Sequence, residues 1–290
     1  MEFEEFKKQY HISLNPQQEM AVQTTEGPIL LLAVPGSGKT TVLITRLGYM
    51  VYCKNVPPER ILTMTYTVSA TRDMRERFSA VFGEDMGNRL EFRTINGVSQ
   101  KIISRYESFT GWKAFDLVSD EKKLNVLVGQ IIRSIRHGFP QESDIKSART
   151  AITYIKNMML KEKEIAKLKP DVPDIDKIYK AYDGELKRQG LMDFDDQMVY
   201  AHMILRKIPE ILAWFQKQYE YICVDEAQDT SKIQHYIIQL LAYENDNLFM
   251  VGDEDQSIYG FRAAYPEALT NFAQDYQDAK VLYLEQNYRS

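Results

Sequence analysis

The stretch AVPGSGKTT (33–41) decides how the rest of this chain is interpreted. It follows the apolar segment PILLLAV (28–34) and leads into the helical pattern TVLITRLGYM (41–50). A buried strand, a glycine-rich turn and a helix in this order are the context in which a phosphate-binding loop occurs. A simple Gly/Pro turn before a helix would not require the sequence GKT as well. We therefore predict that the chain binds a nucleoside triphosphate.

The residue types in this loop each suit one part of that ligand. Gly36, Ser37 and Gly38 form the turn, and the glycines permit backbone conformations that direct successive N–H groups at phosphate oxygens. Lys39 would reach the β- and γ-phosphates, and the Thr40 hydroxyl would coordinate Mg²⁺. The N-terminus of the following helix adds partial positive charge. The loop thus predicts a nucleotide bound together with magnesium.

Six short apolar runs predict the strands of an α/β fold. Several are apolar almost throughout, which suits strands buried on both faces of a parallel sheet. Helical patterns lie between most of them, and this βαβ order is typical of a doubly wound sheet. The runs are PILLLAV (28–34), ILTMTY (61–66), LEFR (90–93), YEYICV (219–224), NLFMV (247–251) and KVLYL (280–284).

Between residues 97 and 218 the pattern changes, and it contains no convincing strand. Three apolar stripes with helical spacing occupy this part, and the segment KLKPDVPD (167–174) interrupts them. We therefore predict a mostly α-helical insertion at 105–190 within an α/β domain formed by 1–104 and 191–290. The stripes are Leu124, Leu127, Val128, Ile131, Ile132 and Ile135, then Ile145, Ala148, Ile152, Ile155 and Met159, then Ile175, Ile178, Tyr179, Tyr182 and Leu186.

Paired acids follow the fourth predicted strand, in YICVDEAQDT (221–230). Asp225 suits a magnesium contact through water, and Glu226 can accept a proton from the attacking water. Because the carboxyl ends of parallel strands share one edge of a sheet, these acids should lie opposite the phosphate-binding loop. A solvated turn would be the default reading of two acids alone, but four apolar strand residues precede them here.

The stretch MVGDEDQSIYGFR (250–262) repeats this arrangement one strand later. Its strand ends in Asp253, and Gln256 then stands where an amide could contact the γ-phosphate or the attacking water. Together with the two preceding motifs, this position predicts that Gln256 reports whether the γ-phosphate is present.

Bulk composition narrows the class of protein. The 290 residues carry a net charge of −5, with 44% hydrophobic and 27% charged residues, as in proteins that bury a substantial core. This charge gives no indication of nucleic acid, although stacking contacts and a local basic groove are compatible with an acidic protein. The N-terminus MEFEEFKKQY (1–10) lacks a signal-peptide pattern, and no apolar run reaches the ~18 residues needed to span a bilayer. We therefore expect a cytoplasmic protein without a membrane partner.

Seven stretches stand in a recognisable order: LNPQQEMAV (14–22), AVPGSGKT (33–40), TYTVSATRDMRERF (65–78), LMDFDDQM (191–198), VDEAQDT (224–230), VGDEDQSIYGFR (251–262) and LEQNYRS (284–290). The order resembles that of UvrD/Rep/PcrA-type superfamily 1 DNA helicases, and the last three stretches are highly specific together. The resemblance implies a RecA-like P-loop NTPase domain with a parallel sheet and a helical insertion. It also implies the use of ATP and Mg²⁺ and action on single-stranded or partly duplex DNA.

The resemblance implies roles for further residues of the nucleotide site. Gln18 resembles the glutamine that reads the edge of adenine, and Tyr288 the aromatic residue that stacks on it. Arg289 resembles the arginine that contacts the γ-phosphate. Thr41 stands where many members have an arginine that holds adenine against the tyrosine, so this chain departs from the family at the adenine contact.

The same resemblance implies DNA contacts at the ends of several strands. Three aromatic residues could stack on bases, although an aromatic residue at a strand end is more often part of the core. Two threonines could donate hydroxyl groups to backbone phosphate. One basic contact of the family is lost, because Ser69 replaces its lysine. The predicted DNA-binding residues are the aromatic Tyr66, Tyr259 and Phe261, the hydroxyl-bearing Thr67 and Thr94, and Asn96 and Arg262.

These motifs predict an ATP- and Mg²⁺-dependent DNA helicase or translocase, with 3′ to 5′ polarity by resemblance. We expect the chain to be the N-terminal portion of such a motor, because the family's second RecA-like domain is missing from it. The alternatives are a nucleotide-binding regulatory or interaction module without motor activity, and the helicase part of an AddA/RecB-like helicase–nuclease. A site that has lost its activity is not expected, because the chain keeps the residues predicted for hydrolysis: Lys39, Asp225, Glu226 and Gln256.

Overall fold

The computed structural model describes residues 1–169, 171–253 and 264–287, which fall into two compact units. The first unit comprises Met1–Val98, Leu212–Thr230 and Ile238–Ser290, and the second comprises Ser99–Ile211 and Ser231–Ile237. These units divide the chain near residues 98 and 211 rather than at the predicted 104 and 190. The functional domain limits therefore stay a prediction.

The described strands form one large sheet and one short pair. The six strands predicted from apolar runs are confirmed, with small shifts at their ends. Two further strands lie where the sequence predicts none, because two residues are too few to leave an alternating pattern. The strands are β1 Ile29–Ala33, β2 Ile61–Thr65, β3 Glu91–Thr94, β4 Asp116–Leu117, β5 Leu191–Met192, β6 Tyr221–Val224, β7 Leu248–Asp253 and β8 Lys280–Leu284.

Helices occupy most of the remaining described chain, with short 3₁₀ turns at Pro58–Arg60, Ala166–Leu168 and Ala227–Asp229. Within the described ranges, no helix is both long and apolar enough to cross a membrane. The helices are α1 Phe3–Gln9, α2 Pro16–Gln23, α3 Lys39–Tyr52, α4 Val68–Phe82, α5 Glu84–Arg89, α6 Ile95–Thr110, α7 Glu121–Arg136, α8 Glu142–Asn157, α9 Glu162–Ile165, α10 Ile175–Arg188, α11 Phe194–Lys207, α12 Pro209–Gln218, α13 Lys232–Ala242, α14 Glu267–Thr270 and α15 Phe272–Asp275.

The large sheet belongs to the first unit and is parallel throughout, with strand order β3-β2-β6-β7-β1-β8. In this register Ala33 at the end of β1 pairs with Asp253 of β7 on one side and with Leu284 of β8 on the other. Since every strand points the same way, all their carboxyl ends lie at one edge of the sheet. The α/β fold and its parallel sheet are thus as predicted.

Burial of the strands explains why the sequence shows continuous apolar runs. β2, β6 and β7 are buried along their whole length, as expected for inner strands with both faces covered. β8 forms one edge of the sheet and exposes Lys280 and Tyr283. Position in the sheet therefore determines how strongly apolar each run is.

Arg46 on α3 fixes helix α2 against the rest of the first unit. Its guanidinium donates hydrogen bonds to the carbonyl oxygens of Ala21 (2.8 Å), Thr24 and Thr25 (3.3 Å) and lies 4.0 Å from the ring centre of Phe249. These carbonyls are at the C-terminal end of α2, where helix carbonyls lack partners and attract cations. Burial lowers the pKa of Arg46 to about 10, so the side chain remains charged at neutral pH.

The second unit has its own core, built on the three predicted helical stripes. α7, α8 and α10 bury these stripes against one another, in a cluster centred on Val128, Ile152, Ile178 and Tyr182. The predicted helices are confirmed, except that α8 ends at Asn157 and leaves Met159 outside it. β4 and β5 pair in parallel within this unit.

The acids of the DFDD stretch (193–196) neutralise a buried lysine in the second unit. Lys156, 3% exposed, contacts Asp193 Oδ2 at 2.8 Å and Asp196 Oδ1 at 2.7 Å with its Nζ. The Tyr182 hydroxyl donates to Asp193 Oδ2 (2.8 Å), and Asp193 Oδ1 accepts from the Asp196 N–H (2.7 Å) at the start of α11. Asp195 accepts hydrogen bonds from α8 as well. These acids therefore join α8, α10 and α11.

Replacing Lys156 by Met should destabilise the second unit strongly. Two buried carboxylates would lose their cation, and breaking such a pair costs about 3–5 kcal/mol. Burial raises the pKa of Asp196 to about 6, so its folded carboxyl is neutralised below that pH. We therefore expect the loss in unfolding free energy, measured by urea denaturation, to be larger at pH 8 than at pH 5.

The matched control is Lys187→Met on α10, where an exposed lysine pairs with Asp183 at 2.7 Å. Surface ion pairs of this kind contribute less than about 1 kcal/mol. Equal losses in the two variants, or a Lys156→Met loss that shrinks as pH rises, would contradict the proposed neutralisation.

Candidate active site

The predicted phosphate-binding loop lies between β1 and α3. Gly36 and Gly38 both have left-handed backbones, with φ of 79° and 86°, and Gly38 is the cap residue of α3. Ser37 is buried, and its N–H donates to the carbonyl of Val34 (3.2 Å), which closes the turn. Residues 39–41 form the first turn of α3, whose leading N–H groups have no partner within the helix. The backbone therefore has the conformation that an anion-binding loop requires.

Gln18 reaches the loop from α2. Its Nε2 donates to the carbonyl of Ser37 (3.0 Å), and its Oε1 accepts from the N–H of Asn15 (3.0 Å). An amide nitrogen has two hydrogens and an amide oxygen has two lone pairs, so one hydrogen and one lone pair remain for hydrogen bonds to a nucleotide base. The side chain is 7% exposed. The adenine-reading role stays a prediction, and the contact shown is one that supports the loop.

The paired acids follow β6 on the neighbouring part of the same edge. The N–H of Asp225 donates to the carbonyl of Met64 (2.9 Å), and Glu226 then adopts a left-handed backbone with φ of 50°. Burial, with the charge of Glu226, raises the pKa of Asp225 to about 6, while Lys39 acts in the opposite direction. Asp225 is therefore mostly ionised at neutral pH.

Lys39 lies between carboxylates from two strands. Its Nζ is 3.5 Å from Glu226 Oε2 and 3.7 Å from Asp253 Oδ2. The Asp253 side chain is 3% exposed and that of Glu226 is 42% exposed, so one partner is fixed in the sheet and the other faces outward. Thr40 is half-buried and Thr41 is exposed. The structure thus brings the loop and the acids together, as the parallel sheet predicts.

Gln228 is a site residue for which the sequence predicts no role. Its Nε2 donates to Glu226 Oε2 (2.7 Å), and its Oε1 accepts from the N–H of Asp253 (3.0 Å). The side chain is 5% exposed. Its position inside VDEAQDT was the only sequence signal, since its two partners belong to the ends of different strands.

The segment after β8 lies at the same edge of the sheet as the predicted phosphate-binding loop. The N–H of Val34 donates to the carbonyl of Leu284 (3.0 Å). The N–H of Glu285 donates to Gln17 Oε1 (3.1 Å), and Gln17 Nε2 donates to Glu285 Oε2 (2.9 Å). The residues that lead to the predicted adenine and γ-phosphate contacts therefore run beside α2 and the loop.

Part of the predicted DNA surface lies at the same edge, beyond β2 and β3. Thr65 pairs with Thr94, so the segments that follow these strands are adjacent. Tyr66 is 42% exposed. Thr67 Oγ1 accepts from the N–H of Ala70 (3.1 Å), and Thr94 Oγ1 accepts from that of Gly97 (3.0 Å). Both threonines therefore cap helices, and their DNA contacts, like that of the half-buried Asn96, stay predictions.

Six predicted site residues lie outside the described part of the chain. They are Gln256, Tyr259, Phe261, Arg262, Tyr288 and Arg289.

The donor set of the site fits a magnesium nucleotide. The loop offers N–H groups and Lys39 to phosphate. The Thr40 hydroxyl and, through water, the Asp225 carboxylate would supply the oxygen ligands that Mg²⁺ prefers. The loop also packs closely against Gln18, because a Cβ added at Gly38 would lie 2.8 Å from Gln18 Nε2. These residues would hold the metal and the phosphates.

Comparison with known proteins gives one consistent result. Residues 14–277 match the sequence model of the family described as UvrD/REP helicase N-terminal domain. The chain is 39% identical over 279 residues to the ATP-dependent DNA helicase PcrA of Leuconostoc citreum, a match that covers 96% of this chain and 37% of that protein. Proteins of the same name from Bacillus subtilis (strain 168) and Staphylococcus aureus (strain COL) are 36% and 34% identical over 280 and 284 residues, covering 96% of this chain and 38% of each. The chain thus spans little more than a third of the length of these relatives.

Replacing Gly38 by Ala should weaken nucleotide binding. A side chain at φ of 86° is strained, and its Cβ would displace the Gln18 amide that supports the loop. We expect the affinity for Mg²⁺–ATP, measured by isothermal titration calorimetry, to fall by at least about tenfold, which corresponds to about 1.4 kcal/mol.

Gly27→Ala is a closely matched control. Gly27 has nearly the same φ, 84°, but an added Cβ would meet nothing within 4 Å. Both variants should lose about 1–2 kcal/mol of stability from the left-handed backbone. Similar losses of ATP affinity in both would show that backbone strain alone, rather than displacement of Gln18, causes the effect.

Proposed function

Because the chain belongs to the UvrD/REP helicase N-terminal domain family, we propose that it is the ATP-binding and ATP-hydrolysing part of a DNA helicase or translocase. The observation that carries the proposal is the position of Lys39 of the phosphate-binding loop, within 4 Å of carboxylates that follow β6 and end β7. Three sequence motifs from distant parts of the chain thereby converge on one point.

Each described residue has a separate part in the proposed hydrolysis. Lys39 and the N–H groups of the loop bind the phosphates, and Gln18 supports the loop from α2. Asp225 holds the metal through water, and Glu226 accepts the proton of the attacking water. When bound, Mg²⁺ offsets the charge that develops on the phosphate oxygens. Gln256 and Arg289 keep their predicted contacts to the γ-phosphate, and Tyr288 keeps its contact to adenine.

DNA is the proposed partner of the neighbouring strand ends. Tyr66 is an exposed aromatic side chain at the end of β2, beside the segment that carries Thr94 and Asn96. Base stacking on such a side chain contributes about 1–3 kcal/mol per base. Tyr259, Phe261 and Arg262 complete the proposed surface. By family resemblance, movement along the strand is 3′ to 5′.

We further propose that the working motor contains a second RecA-like domain. The matched relatives are much longer than the region they share with this chain. By family resemblance, the second domain contributes an arginine to the other side of the nucleotide. Closure of the two domains on ATP would then produce the steps along DNA.

The proposal is tested by measuring Mg²⁺-dependent ATP hydrolysis with and without single-stranded DNA, with Lys39→Ala as the blank. We expect hydrolysis that single-stranded DNA accelerates and that Lys39→Ala abolishes. A hydrolysis rate that single-stranded DNA does not change would favour a nucleotide-binding module without motor activity. ATP binding without any hydrolysis would contradict catalysis by this chain alone and would assign an indispensable group to the second domain.

Replacing Glu226 by Gln should separate binding from hydrolysis. The amide keeps the shape of the side chain but cannot accept the proton, and general-base catalysis contributes about 10²–10⁴-fold. We therefore expect the hydrolysis rate to fall by at least about 100-fold while Mg²⁺–ATP affinity changes by less than about threefold. Glu220→Gln, which alters an exposed carboxylate paired with Arg60 at 2.9 Å, is the control and should leave both quantities unchanged. Full hydrolysis by Glu226→Gln would exclude the assigned base.

A further inference from the structure

Gln228 is held in one orientation by partners on two strands. Its amide nitrogen faces the Glu226 carboxylate, which can only accept, and its amide oxygen faces the Asp253 N–H, which can only donate. Exchanging nitrogen and oxygen would break both hydrogen bonds, so the network itself fixes the orientation. A buried amide with both ends engaged is a rigid support rather than a mobile surface group.

The backbone around Gln228 is also fixed. It lies in the short 3₁₀ turn Ala227–Asp229, in which the Asp229 N–H donates to the carbonyl of Glu226 (3.0 Å). The hydroxyl and the N–H of Thr230 both contact the carbonyl of Ala227, at 2.8 and 3.2 Å. Glu226 itself has a left-handed backbone at the start of this turn. The turn thus places the amide two residues beyond the acid and aims it back at the carboxylate.

Lys39 and Gln228 contact the same oxygen of Glu226. Lys39 Nζ is 3.5 Å from Oε2, a long contact, whereas Gln228 Nε2 is 2.7 Å from it. In the proposed function Lys39 pairs with phosphate, and its contact to Glu226 is already long, so it is not the group that would fix this carboxylate. The shorter contact to Gln228 does not depend on the lysine. Within the described ranges both contacts are made to Oε2, and Oε1 is then the oxygen suited to accept a proton from water.

We infer that Gln228 is the positioning residue for Glu226, and that it keeps this carboxylate in place when Lys39 pairs with phosphate. The inference rests on the proposed function. Through its second hydrogen bond, Gln228 also joins Glu226 to the end of β7, where Asp253 begins the motif that continues to Gln256. The Gln228 amide therefore connects Glu226, the predicted base, to β7, the strand that precedes the predicted γ-phosphate contact Gln256.

Two variants distinguish the two hydrogen bonds of Gln228. Gln228→Glu has nearly the same shape and keeps an oxygen for the Asp253 N–H, but it replaces the donor to Glu226 by a second carboxylate oxygen. Gln228→Leu removes both hydrogen bonds. The matched control is Gln216→Leu, which removes a buried amide of the first unit that donates to the carbonyl of Leu240 (2.8 Å).

Single-turnover and steady-state ATP hydrolysis give the first readout. We expect kcat to fall by about 10–100-fold in both Gln228 variants, because displacing a reacting group by about 1 Å can cost about 100-fold. KM and Mg²⁺–ATP affinity should change by less than about threefold, since the phosphate-binding groups are untouched. The Gln216→Leu control should keep its kcat. A kcat for Gln228→Glu within about threefold of the unsubstituted chain, or a loss confined to KM, would overturn the inference.

Crystal structures with Mg²⁺ and a non-hydrolysable ATP analogue give a second readout that needs no turnover. In the unsubstituted chain, Glu226 should keep its contact with Gln228 while Lys39 contacts phosphate. In both Gln228 variants the Glu226 carboxylate should move by about 1 Å or more. An unmoved Glu226 in the variants would overturn the inference. Failure of the unsubstituted chain to hydrolyse ATP would instead contradict the proposed catalysis, and the structures would still decide the role of Gln228.

Discussion

The register of β1 between β7 and β8 is the constraint on which the site depends. Because Ala33 pairs with both Asp253 and Leu284, the loop after β1 begins between the C-terminal ends of β7 and β8. β6 adds the acid pair on the far side of β7. A shift of one residue in any of these pairings would turn the side chains of that strand to the opposite face. The distances around Lys39 therefore follow from the sheet.

Two buried polar groups maintain this arrangement, Arg46 at a distance from the candidate site and Gln228 within it. Arg46 binds the C-terminal carbonyls of α2, and α2 in turn brings Gln18 to the loop. Gln228 joins the ends of β6 and β7. Buried polar groups stabilise only when their partners are complete, and here they specify one arrangement of loop, helix and strand ends. The site is therefore supported by contacts that reach beyond single motifs, from Arg46 to α2 and from Gln228 to the end of β7.

The sequence predicts the parts of this structure that depend on local chemistry. Loop residues such as Gly38 and Lys39 stand next to one another, and apolar runs and helical stripes are periodic, so the six long strands and three inserted helices could be inferred. The order of the motifs led to a family resemblance that the family match confirms. A strand of two residues is too short to show an alternating pattern, so β4 and β5 could not be predicted. The sequences of α6 and α11 do not indicate which unit each helix belongs to, so the unit limits could not be predicted either. The partners of Gln228 are reached only through the register of the sheet.

The threonines after β2 and at the end of β3 combine an observed structural role with a predicted binding role. Thr67 and Thr94 each accept a helix N–H with their hydroxyl oxygen, which fixes the hydroxyl beside the start of a helix. A hydroxyl that accepts still has a hydrogen to donate, and that donor is what a phosphate oxygen requires. The helix N-termini that they cap are themselves favourable to anions. Capping thus leaves the hydroxyl hydrogen of each threonine for the predicted DNA contact, and we expect a substitution that removes the hydroxyl to disturb the cap and the predicted contact at once.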